Sequence, residues 1–498
     1  MSKKNLFNTV KMTRPNKNAF DLSHDVKLSL NMGQLVPIMC TECVPGDKFN
    51  ISCESLLRFA PLVSPVMHKM NVYMHYFFVP HRLVWPNWEK FITNTDGLPP
   101  AFPTVEITSG SYTPLCDYLG LPIPPPGAPA EFVNAIPFAA YQKIYNEYYR
   151  DQNLAISATD TLQDGLNDIN NFRNLRKRAW EHDYFTSALP FAQKGNPVNL
   201  PIGVFPEDVP VYVNNGGTDT EFQGNPLNVD VIGQQSDDTP ENELYAQTAG
   251  VATQATTIND LRRAFKLQEW LEKAARGGTR YVESILSHFG VKSSDKRLQR
   301  PEYITGTKSP VIISEVLNTT GTEDAPQGQM AGHGVSVTSG RYGSFFCEEH
   351  GYIIGIMSVM PNTAYQQGIP KHFTKTNDPF QYFWPSFAHI GEQPIENREL
   401  YAYQGDAAGS ETFGYTPRYA EYKYENNRVA GDFRTNLDFW HMGRIFDAPP
   451  ALNRTFVECD PTHRIFAVTD PSVQKLYAHV HNKITAVRPM PKFGTPTF

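Results

Sequence analysis

The sequence lacks the features that identify membrane proteins, secreted proteins and disulfide-stapled domains. It has no run of about eighteen apolar residues that could span a bilayer, and its first residues, MSKKNLFNTVKMTRPNKN, lack the apolar stretch of a signal peptide. Its 498 residues include only six cysteines, too few for a disulfide framework. These absences predict a protein that is made and kept in the cytoplasm with reduced thiols.

Motifs of catalysis and metal binding are also missing. There is no phosphate-binding G-x-x-x-x-G-K-[ST] loop, no H-E-x-x-H and no G-x-S-x-G. Cys40 and Cys43 have the C-x-x-C spacing of a zinc site, but only Cys53 follows nearby where a second ligand pair would be needed. His479 and His481 share one strand face without a third ligand. The sequence therefore predicts no catalytic residue, no cofactor and no metal.

Charge is scarce and unevenly distributed. Charged residues make up 19% of the chain, against about 25% on average. The formal net charge of -7 argues against a protein that coats nucleic acid with its whole surface. Every charged residue between positions 195 and 261 is an acid. So polar and acidic a stretch forms little core and cannot lie against nucleic acid, which predicts an outward-facing surface loop.

Both ends of the chain are basic instead. Residues 1–18 contain no acid and carry Lys3, Lys4, Lys11, Arg14 and Lys17. After Asp470 there is again no acid, and the basic residues are Lys475, Lys483, Arg488 and Lys492. Two interpretations stay open. These segments are either solvated tails or phosphate-neutralising charge that faces nucleic acid, with Tyr477, Phe493 and Phe498 as stacking surfaces.

The periodicity is mainly that of strands. Residues 21–30 and 476–486 alternate between apolar and polar side chains, which predicts half-buried strands. Three segments rich in β-branched and aromatic residues, 70–79, 335–347 and 352–360, predict strands buried on both faces.

Helical signal is confined to the connections between strands. Apolar residues at three-to-four spacing predict a helix from Ile258 that stops at the glycine pair 277–278. Residues 141–150 and 169–184 are weaker helical candidates, and the proline-rich stretch 119–132 is expected to be extended or turn-like. Strands near both ends of the chain, joined by long and partly helical connecting segments, predict one β-sandwich domain with enlarged loops.

Residues 414–446 interleave aromatic side chains with arginine and lysine and hold no catalytic spacing. This mixture is enriched in protein interfaces. The candidate contact residues are Arg418, Tyr422, Arg428, Arg434, Trp440 and Arg444. Residues 381–400 are interpreted as contact surface too, whereas Trp85 and Trp88 are interpreted as packing beneath a loop.

Five segments carry a family resemblance. They are FFVPHRLVWPNWEKF (77–91), LRRAFKLQEWLEKAARGGTRYVESILSHFGVKSSDKRLQRPEYI (261–304), QYFWPSFAHIGEQPIENREL (381–400), GYTPRYAEYKYENNRVAGDFRTNLDFWHMGRIF (414–446) and RPMPKFGTPTF (488–498). In this order they resemble the major capsid proteins of the Microviridae, closest to the gokushovirus branch. The strings ARGGTRY and RLQRPEY are the most specific. Residues 195–260 have no counterpart that anchors the resemblance, at the place where the family varies.

The resemblance implies an all-β capsid protein. It implies a single eight-stranded viral jelly roll across residues 1–498, a β-sandwich with long, partly helical loop insertions. The expected parts are a basic N-terminal arm (1–18), an acidic, variable surface insertion that forms a threefold protrusion (195–260) and a basic C-terminal strand and tail (471–498). The expected DNA-facing residues are Lys3, Lys4, Lys11, Arg14, Lys17, Lys483, Arg488 and Lys492. The expected host-facing residues are Asp219, Glu221, Asp237 and Asp238.

The implied function is mechanical, with no enzymatic activity. Copies of the chain would assemble in the bacterial cytoplasm into a small icosahedral virion around a circular single-stranded DNA genome. The expected partners are other copies of the chain, the packaged single-stranded DNA, a small basic DNA-binding virion protein and a host cell surface receptor. The insertion would contribute to host attachment.

Two other functions stay open from the residues alone. A cytosolic carbohydrate-binding or carbohydrate-active β-sandwich protein would use the aromatic residues to hold sugar, and an enzyme of this kind needs two converging carboxylates. A host-binding spike or fibre module would be trimeric and would need no inward-facing basic tails. A shell protein would instead sediment as large, uniform particles.

Overall fold

A computed structural model describes residues 16–94, 97–196, 198, 258–319, 330–340 and 342–493, together with the backbone of three short strands between residues 211 and 246. Most of its regular structure is antiparallel strand. The strands are β1 (Asn18–Asp21), β2 (His24–Leu30), β3 (Val36–Cys43), β4 (Lys48–Phe59), β5 (Met70–Pro80), β6 (Thr104–Ile107), β7 (Glu131–Asn134), β8 (Leu166–Asn167), β9 (Val211–Asn215), β10 (Thr218–Glu221), β11 (Leu244–Ala246), β12 (Glu302–Pro310), β13 (Ile312–Leu317), β14 (Met330–Ser339), β15 (Gly343–Phe346), β16 (Gly351–Pro361), β17 (Glu392–Glu396), β18 (Thr412–Pro417) and β19 (Leu476–Arg488).

Helices lie in the connections between these strands. The α-helices are α1 (His81–Val84), α2 (Trp88–Thr93), α3 (Pro114–Tyr118), α4 (Ile136–Ile144), α5 (Ile258–Gly277), α6 (Tyr281–Phe289), α7 (Asn397–Leu400), α8 (Asp406–Gly409) and α9 (Arg454–Val457). One π-helical turn, Tyr145–Tyr149, continues α4. The 3₁₀ turns are Ile169–Asn171, Lys371–Phe373, Pro379–Gln381, Pro385–Phe387, Ala420–Tyr422, Gly431–Arg434 and Asp438–Trp440.

Two antiparallel sheets carry the architecture. In the seven-stranded sheet, β1 and β2 both pair with β19, which pairs with β4; β14 and β15 pair with β4, and β13 forms the far edge beside β14. The second sheet has the order β12-β5-β16-β3. Smaller sheets are β10-β9-β11, β17-β18 and β7-β6-β8. The last of the described strands, β19, therefore has neighbours on both sides in its sheet.

The inner faces of the two main sheets form one hydrophobic core. Along β19 the burial alternates, because every second residue from Leu476 to Ala486 points into this core. Asn482 is the polar member of this inner row. Its side-chain oxygen accepts from the Tyr76 hydroxyl at 2.8 Å, and its amide donates to the Ile38 carbonyl at 2.8 Å. These bonds satisfy a buried amide and join the two sheets.

A second core covers the outer face of the four-stranded sheet. Phe77 of β5 and Ile354 of β16 point outward into a cluster that includes Phe138 and Tyr141 of α4. Trp85 is fully buried in the same cluster, and its indole nitrogen donates to Asp164 at 2.7 Å. Strands β5 and β16 are therefore buried on both faces, by the core between the sheets on one side and by helix α4 and its neighbouring loops on the other.

The strand predictions are largely confirmed. Residues 70–79, 352–360 and 476–486 all lie in strands, and both central strands of the four-stranded sheet are buried on two faces. The segment 21–30 is also mostly strand, but it is divided between the last residue of β1 and the whole of β2. The prediction for 335–347 is wrong in its burial. This segment divides into β14 and β15, and β14 alternates between buried and exposed residues, with Val337 73% exposed.

The helix predictions have mixed outcomes. Helix α5 and the helical run that begins with α4 confirm the predictions at 258–277 and 141–150. The proline-rich stretch 119–132 contains no helix, as expected. The prediction for 169–184 is wrong, because only the turn Ile169–Asn171 is helical there. Beyond it the backbone is extended and bonds to other segments, with the Leu35 amide donating to the Arg176 carbonyl and the Trp180 amide to the Val457 carbonyl.

The chain divides into two compact units. One consists of Met1–Ala192 with Gly277–Phe498 and holds both main sheets. The other, Gln193–Arg276, holds the sheet β10-β9-β11 and almost all of α5. The acidic stretch 195–260 lies within the second unit.

Candidate functional site: an exposed aromatic surface

Five aromatic side chains form an exposed surface on two neighbouring turns. We call this the aromatic surface; its members are Phe380, Tyr382, Phe383, Trp384 and Tyr422, each between 51% and 55% exposed. The turn Pro379–Gln381 begins where the Asp378 carboxylate accepts from the Phe380 amide, with proline at the first helical position. The ring of Phe383 lies 6.3 Å from that of Tyr422. Contiguous exposed apolar area of this kind marks interaction sites.

Arg418 ties the two halves of the aromatic surface together. Its Nη2 donates to the Phe380 carbonyl at 2.7 Å, and its guanidinium lies 4.7 Å from the centre of the Tyr419 ring. The Trp384 indole nitrogen donates to the Pro379 carbonyl at 3.1 Å. These bonds hold the exposed rings in place within the free subunit, which lowers the entropy lost when a partner covers them.

A buried ion pair supports the aromatic surface from below. Lys375 Nζ lies 2.7 Å from the Glu421 carboxylate, and their side chains are only 4% and 11% exposed. The Gln393 amide nitrogen donates to the other carboxylate oxygen at 2.7 Å. Burial alone raises the pKa of Glu421, but the hydrogen bonds from Lys375 and Gln393 outweigh it, and the pKa lies below its ordinary value. The Glu421 carboxylate is therefore ionised at neutral pH.

Tyr419 connects this ion pair to the exposed rings. Its backbone is left-handed, with a φ of 61°, and its side chain is buried. The Gln393 side-chain oxygen accepts from its amide at 3.0 Å, and its ring packs against Phe383 at 5.2 Å and Tyr422 at 6.1 Å. A left-handed conformation is unfavourable for tyrosine, so the surrounding contacts define the position of this residue closely.

Arg428, Arg434 and Trp440 lie in a different place from Arg418 and Tyr422. Arg428 lines a cleft of about 360 Å³. Arg434 donates from Nε to the Val429 carbonyl at 2.7 Å, and the Trp440 ring lies 6.3 Å from that of Phe433. The cleft is lined by Met67, His68, Lys69, Asn362, Ala364, Asn427, Arg428, Val429, Ala430, Phe433 and His441. The structure therefore does not bring all the candidate contact residues into one patch.

Arg444 is engaged inside its own subunit. Its guanidinium lies 4.1 Å from the ring centre of Phe456, 5.1 Å from that of Phe446 and 5.3 Å from Trp180. Its Nη2 donates to the Phe456 carbonyl at 2.8 Å. This geometry favours a structural role, and we leave Arg444 out of the contact surface proposed below.

The candidate DNA-facing residues are only partly described. Lys3, Lys4, Lys11 and Arg14 lie outside the described residues, whereas Lys17, Lys483 and Lys492 are exposed. Arg488 is engaged within the chain. Its Nε lies 3.3 Å from the fully buried carboxylate of Asp47, and its Nη2 donates to the Glu42 carbonyl at 2.6 Å.

The candidate host-facing acids also lie largely beyond the description. Asp219 and Glu221 lie in β10, of which only the backbone is described. Asp237 and Asp238 lie outside the described residues. Among the described residues, no group of three or more histidine, cysteine, aspartate or glutamate side chains is arranged to hold a metal ion. In the same residues, none of the helices combines the length and apolarity that a bilayer-spanning segment needs.

Sequence reasoning missed the support of the aromatic surface. Lys375 and Glu421 are far apart in the chain, and neither lies in a periodic pattern. Their partnership depends on the pairing of β17 with β18, which places Gln393 opposite Thr416 and brings the two segments together. The only local signal for the aromatic surface is the aromatic content of 381–400 and 414–446. That content indicates each half of the surface separately and does not show that the halves meet.

Comparison with known proteins gives a consistent result over nearly the whole chain. A family model described as "Capsid protein (F protein)" matches residues 8–498. The chain is 38% identical to the capsid protein VP1 of Bdellovibrio phage phiMH2K, over 96% of this chain and 95% of that protein. It is 33% identical to VP1 of Chlamydia phage 1, with 99% and 97% covered, and 32% identical to VP1 of Spiroplasma virus 4, with 95% and 94% covered.

Proposed function

The chain belongs to the capsid protein (F protein) family, and from this premise we propose that it builds a small icosahedral shell around the circular single-stranded DNA genome of a bacteriophage. It is a structural protein of the virion and not an enzyme. The proposed shell is the simplest icosahedral kind, with one copy of the chain in each asymmetric unit. Assembly in the bacterial cytoplasm is part of the same proposal.

The strand order is the observation that carries the proposed architecture, a single jelly roll. Eight strands, numbered one to eight in chain order, are β2, β3, β4, β5, β12, β14, β16 and β19. One main sheet then has the order 1-8-3-6 and the other 2-7-4-5. In this numbering β1 and β15 extend strands one and six, and β13 is an added edge strand.

This order is what a rolled-up hairpin produces. If one long hairpin is wrapped into two sheets, strand one pairs with eight, two with seven, three with six and four with five. All four pairs are present and antiparallel. A double-sheet jelly roll is an architecture used by viral capsid proteins, so the topology supports the proposal independently of the family match.

We place the aromatic surface between subunits of the shell. Aromatic and arginine residues are enriched in interface cores, and the residues that contribute most to binding are drawn from the same types. Arg418 and Tyr422 lie on this surface, whereas Arg428 lines the separate cleft and Arg434 and Trp440 contact residues that line it. Contacts of this kind are repeated by symmetry throughout a closed shell. A modest loss of binding free energy at one contact is therefore multiplied by the number of copies of that contact.

The distribution of charge along the chain supports the remaining proposed partners: a host receptor, the packaged DNA and a small basic protein. The stretch 195–260, in which every charged residue is an acid, is proposed to face outward and to contribute to host attachment through a surface receptor. The basic ends are proposed to face the packaged DNA. Because the net charge of the chain is -7, a small basic virion protein is proposed to share the neutralisation of the phosphates.

Sedimentation with nuclease protection tests the proposal. Protein expressed with a circular single-stranded genome should sediment as one large species that contains DNA resistant to nuclease. A trimer or monomer without protected DNA would contradict it and would favour a spike or a soluble binding protein.

A further inference from the structure

The outer face of the seven-stranded sheet is open at the end from which both chain termini leave. The four-stranded sheet is covered by α4 and its loops, but Lys48, Phe346 and Lys483 on the outside of the seven-stranded sheet are all exposed. Phe346 is 51% exposed although it is a large apolar side chain in a regular strand. An open sheet face with an exposed ring is suited to a planar ligand.

Strand register places these residues on one face. Phe346 of β15 is the cross-strand partner of Lys48 in β4, which is in turn the partner of Val487 in β19. Lys483, four residues before Val487, points to the same face. Lys17 reaches this face from the chain end beside β1, with its ammonium 5.4 Å from the centre of the Phe346 ring.

The lysines on this part of the face are not neutralised by ion pairs with other described residues. Within the described residues Lys17, Lys48 and Lys483 form no ion pair; Lys17 donates to the Gly46 carbonyl at 2.8 Å. Small polar side chains lie between the lysines, with Asn50 paired across the strands with both Ser344 and Thr485.

The acids of the same face are few or lie farther along it. Asp21, opposite Thr485, accepts from the Ser23 amide at 3.0 Å. One row beyond Lys483, Asp25 accepts from His481 at 2.7 Å, with Glu54 on the other side of His481. The region around Phe346 is therefore net positive.

We propose that this face, defined by Lys17, Lys48, Phe346 and Lys483, is a binding platform for single-stranded DNA. A base stacks on the Phe346 ring, and the three ammonium groups contact the flanking phosphates. Stacking tolerates any base and lysine contacts any phosphate, so binding is independent of sequence. Sheet faces with exposed aromatic residues hold single-stranded nucleic acid in the same way. This inference rests on the proposed function and names the surface that meets the genome.

Oligonucleotide binding by the unassembled capsid protein tests the platform. The probe is a fluorescent oligothymidylate, titrated at several salt concentrations. Phe346→Ala should weaken binding about tenfold with an unchanged salt dependence, and Phe346→Trp should restore it, because a base stacks on either aromatic ring but not on alanine. Replacing Lys17, Lys48 and Lys483 by glutamine should reduce the slope of log affinity against log salt by about two.

Two control variants are matched to these changes. Lys90→Gln removes an exposed lysine of α2, and Val337→Ala trims an exposed apolar residue at the other end of the same face. Both should bind the oligonucleotide like the unaltered protein.

Three outcomes distinguish a failure of the DNA-binding platform from a failure of the proposed function. Unchanged affinity and salt slope in the Phe346 and lysine variants would overturn the platform, even if unaltered particles still protected single-stranded DNA. Variants that bind DNA normally but no longer form particles would identify the face as a subunit contact and also overturn it. Absence of protected DNA from unaltered particles would count against the proposed function itself.

Discussion

Individual side chains determine how firmly the aromatic surface is held, and the buried pair of Lys375 and Glu421 is the clearest case. Replacing one partner leaves the other charge buried and unpaired, which typically costs about 3–5 kcal/mol. Lys375→Met should therefore lower the free energy of unfolding by roughly 3 kcal/mol in guanidinium titrations of the unassembled subunit. Lys296→Met, which breaks an exposed pair with Glu348, should change it by less than about 1 kcal/mol. Equal effects of the two changes would show that the pair contributes no more than a surface salt bridge.

Tyr422 and Arg434 belong to the proposed contacts and are exposed in the free subunit. Replacing both by alanine should leave a folded subunit but few particles, because truncating an interface anchor typically costs about 2 kcal/mol or more at each contact. Analytical ultracentrifugation gives the particle fraction, and the melting temperature reports the fold. Arg444→Ala offers a contrast from the same segment, since it should lower the melting temperature by removing an internal contact. A normal particle yield from the double variant would remove both residues from the interface.

One buried histidine, His81, and one half-buried histidine, His75, predict acid sensitivity of the subunit. Burial lowers the pKa of His75 and of His81 to about 4. The ordinary pKa of histidine, which applies in the unfolded chain, is 6.5. Below this pH the unfolded chain binds protons at His75 and His81 that the folded chain does not bind. The stability present above pH 6.5 is therefore lost as the pH falls towards 4, at about 1.4 kcal/mol per pH unit for each histidine.

The measurement is the free energy of unfolding of the unassembled subunit across this window. Changing His75 and His81 to glutamine should lower stability at neutral pH, because both sites are packed, but should flatten the slope between pH 6.5 and 4.5. A slope that the double variant does not reduce would assign the acid sensitivity to other groups.

At the scale of the elements, the sequence predicts strands well where burial follows the apolar pattern. Strand β14 is the instructive exception, because its valines point outward and its glycines, Ser336 and Thr338 point inward. The inner space there is too small for larger residues. A Cβ on Gly334 would lie 2.8 Å from the Phe59 ring, and one on Gly332 would collide with the Ser64 carbonyl. Such close approaches depend on tertiary packing, and no local pattern predicts them.

The acidic insertion is the element whose removal should separate attachment from assembly. Replacing residues 214–242, which include β10 and the end of β9, by a short Gly/Ser turn should still give closed particles. A change in the length of a connection alters its closure entropy by only about 0.6 kcal/mol per doubling. Attachment of the particles to host cells should fall. Particle yield and cell binding are measured on the same preparations. Loss of particles would instead place the segment among the shell's own contacts.

At the scale of the whole molecule, the sequence predicts a β-sandwich and two contact segments, but not how those segments meet. The pairing of β17 with β18 brings 381–400 against 414–446, and only then do Arg418, Phe380 and Tyr422 share one surface. The same holds for Phe346 and Lys17, which are distant in the chain and lie together because the first and last strands pair. Long-range strand pairing is the information that residue patterns carry least.

Electron cryomicroscopy of particles made by the full chain with a circular single-stranded genome tests the shell proposal most directly. The expected result is a round, uniform, closed particle with one subunit in each icosahedral asymmetric unit. Each subunit should show two sheets in the strand orders 1-8-3-6 and 2-7-4-5 found here, with the aromatic surface buried against a neighbouring subunit. Dispersed small species, or particles in which the aromatic surface faces solvent, would contradict the proposal.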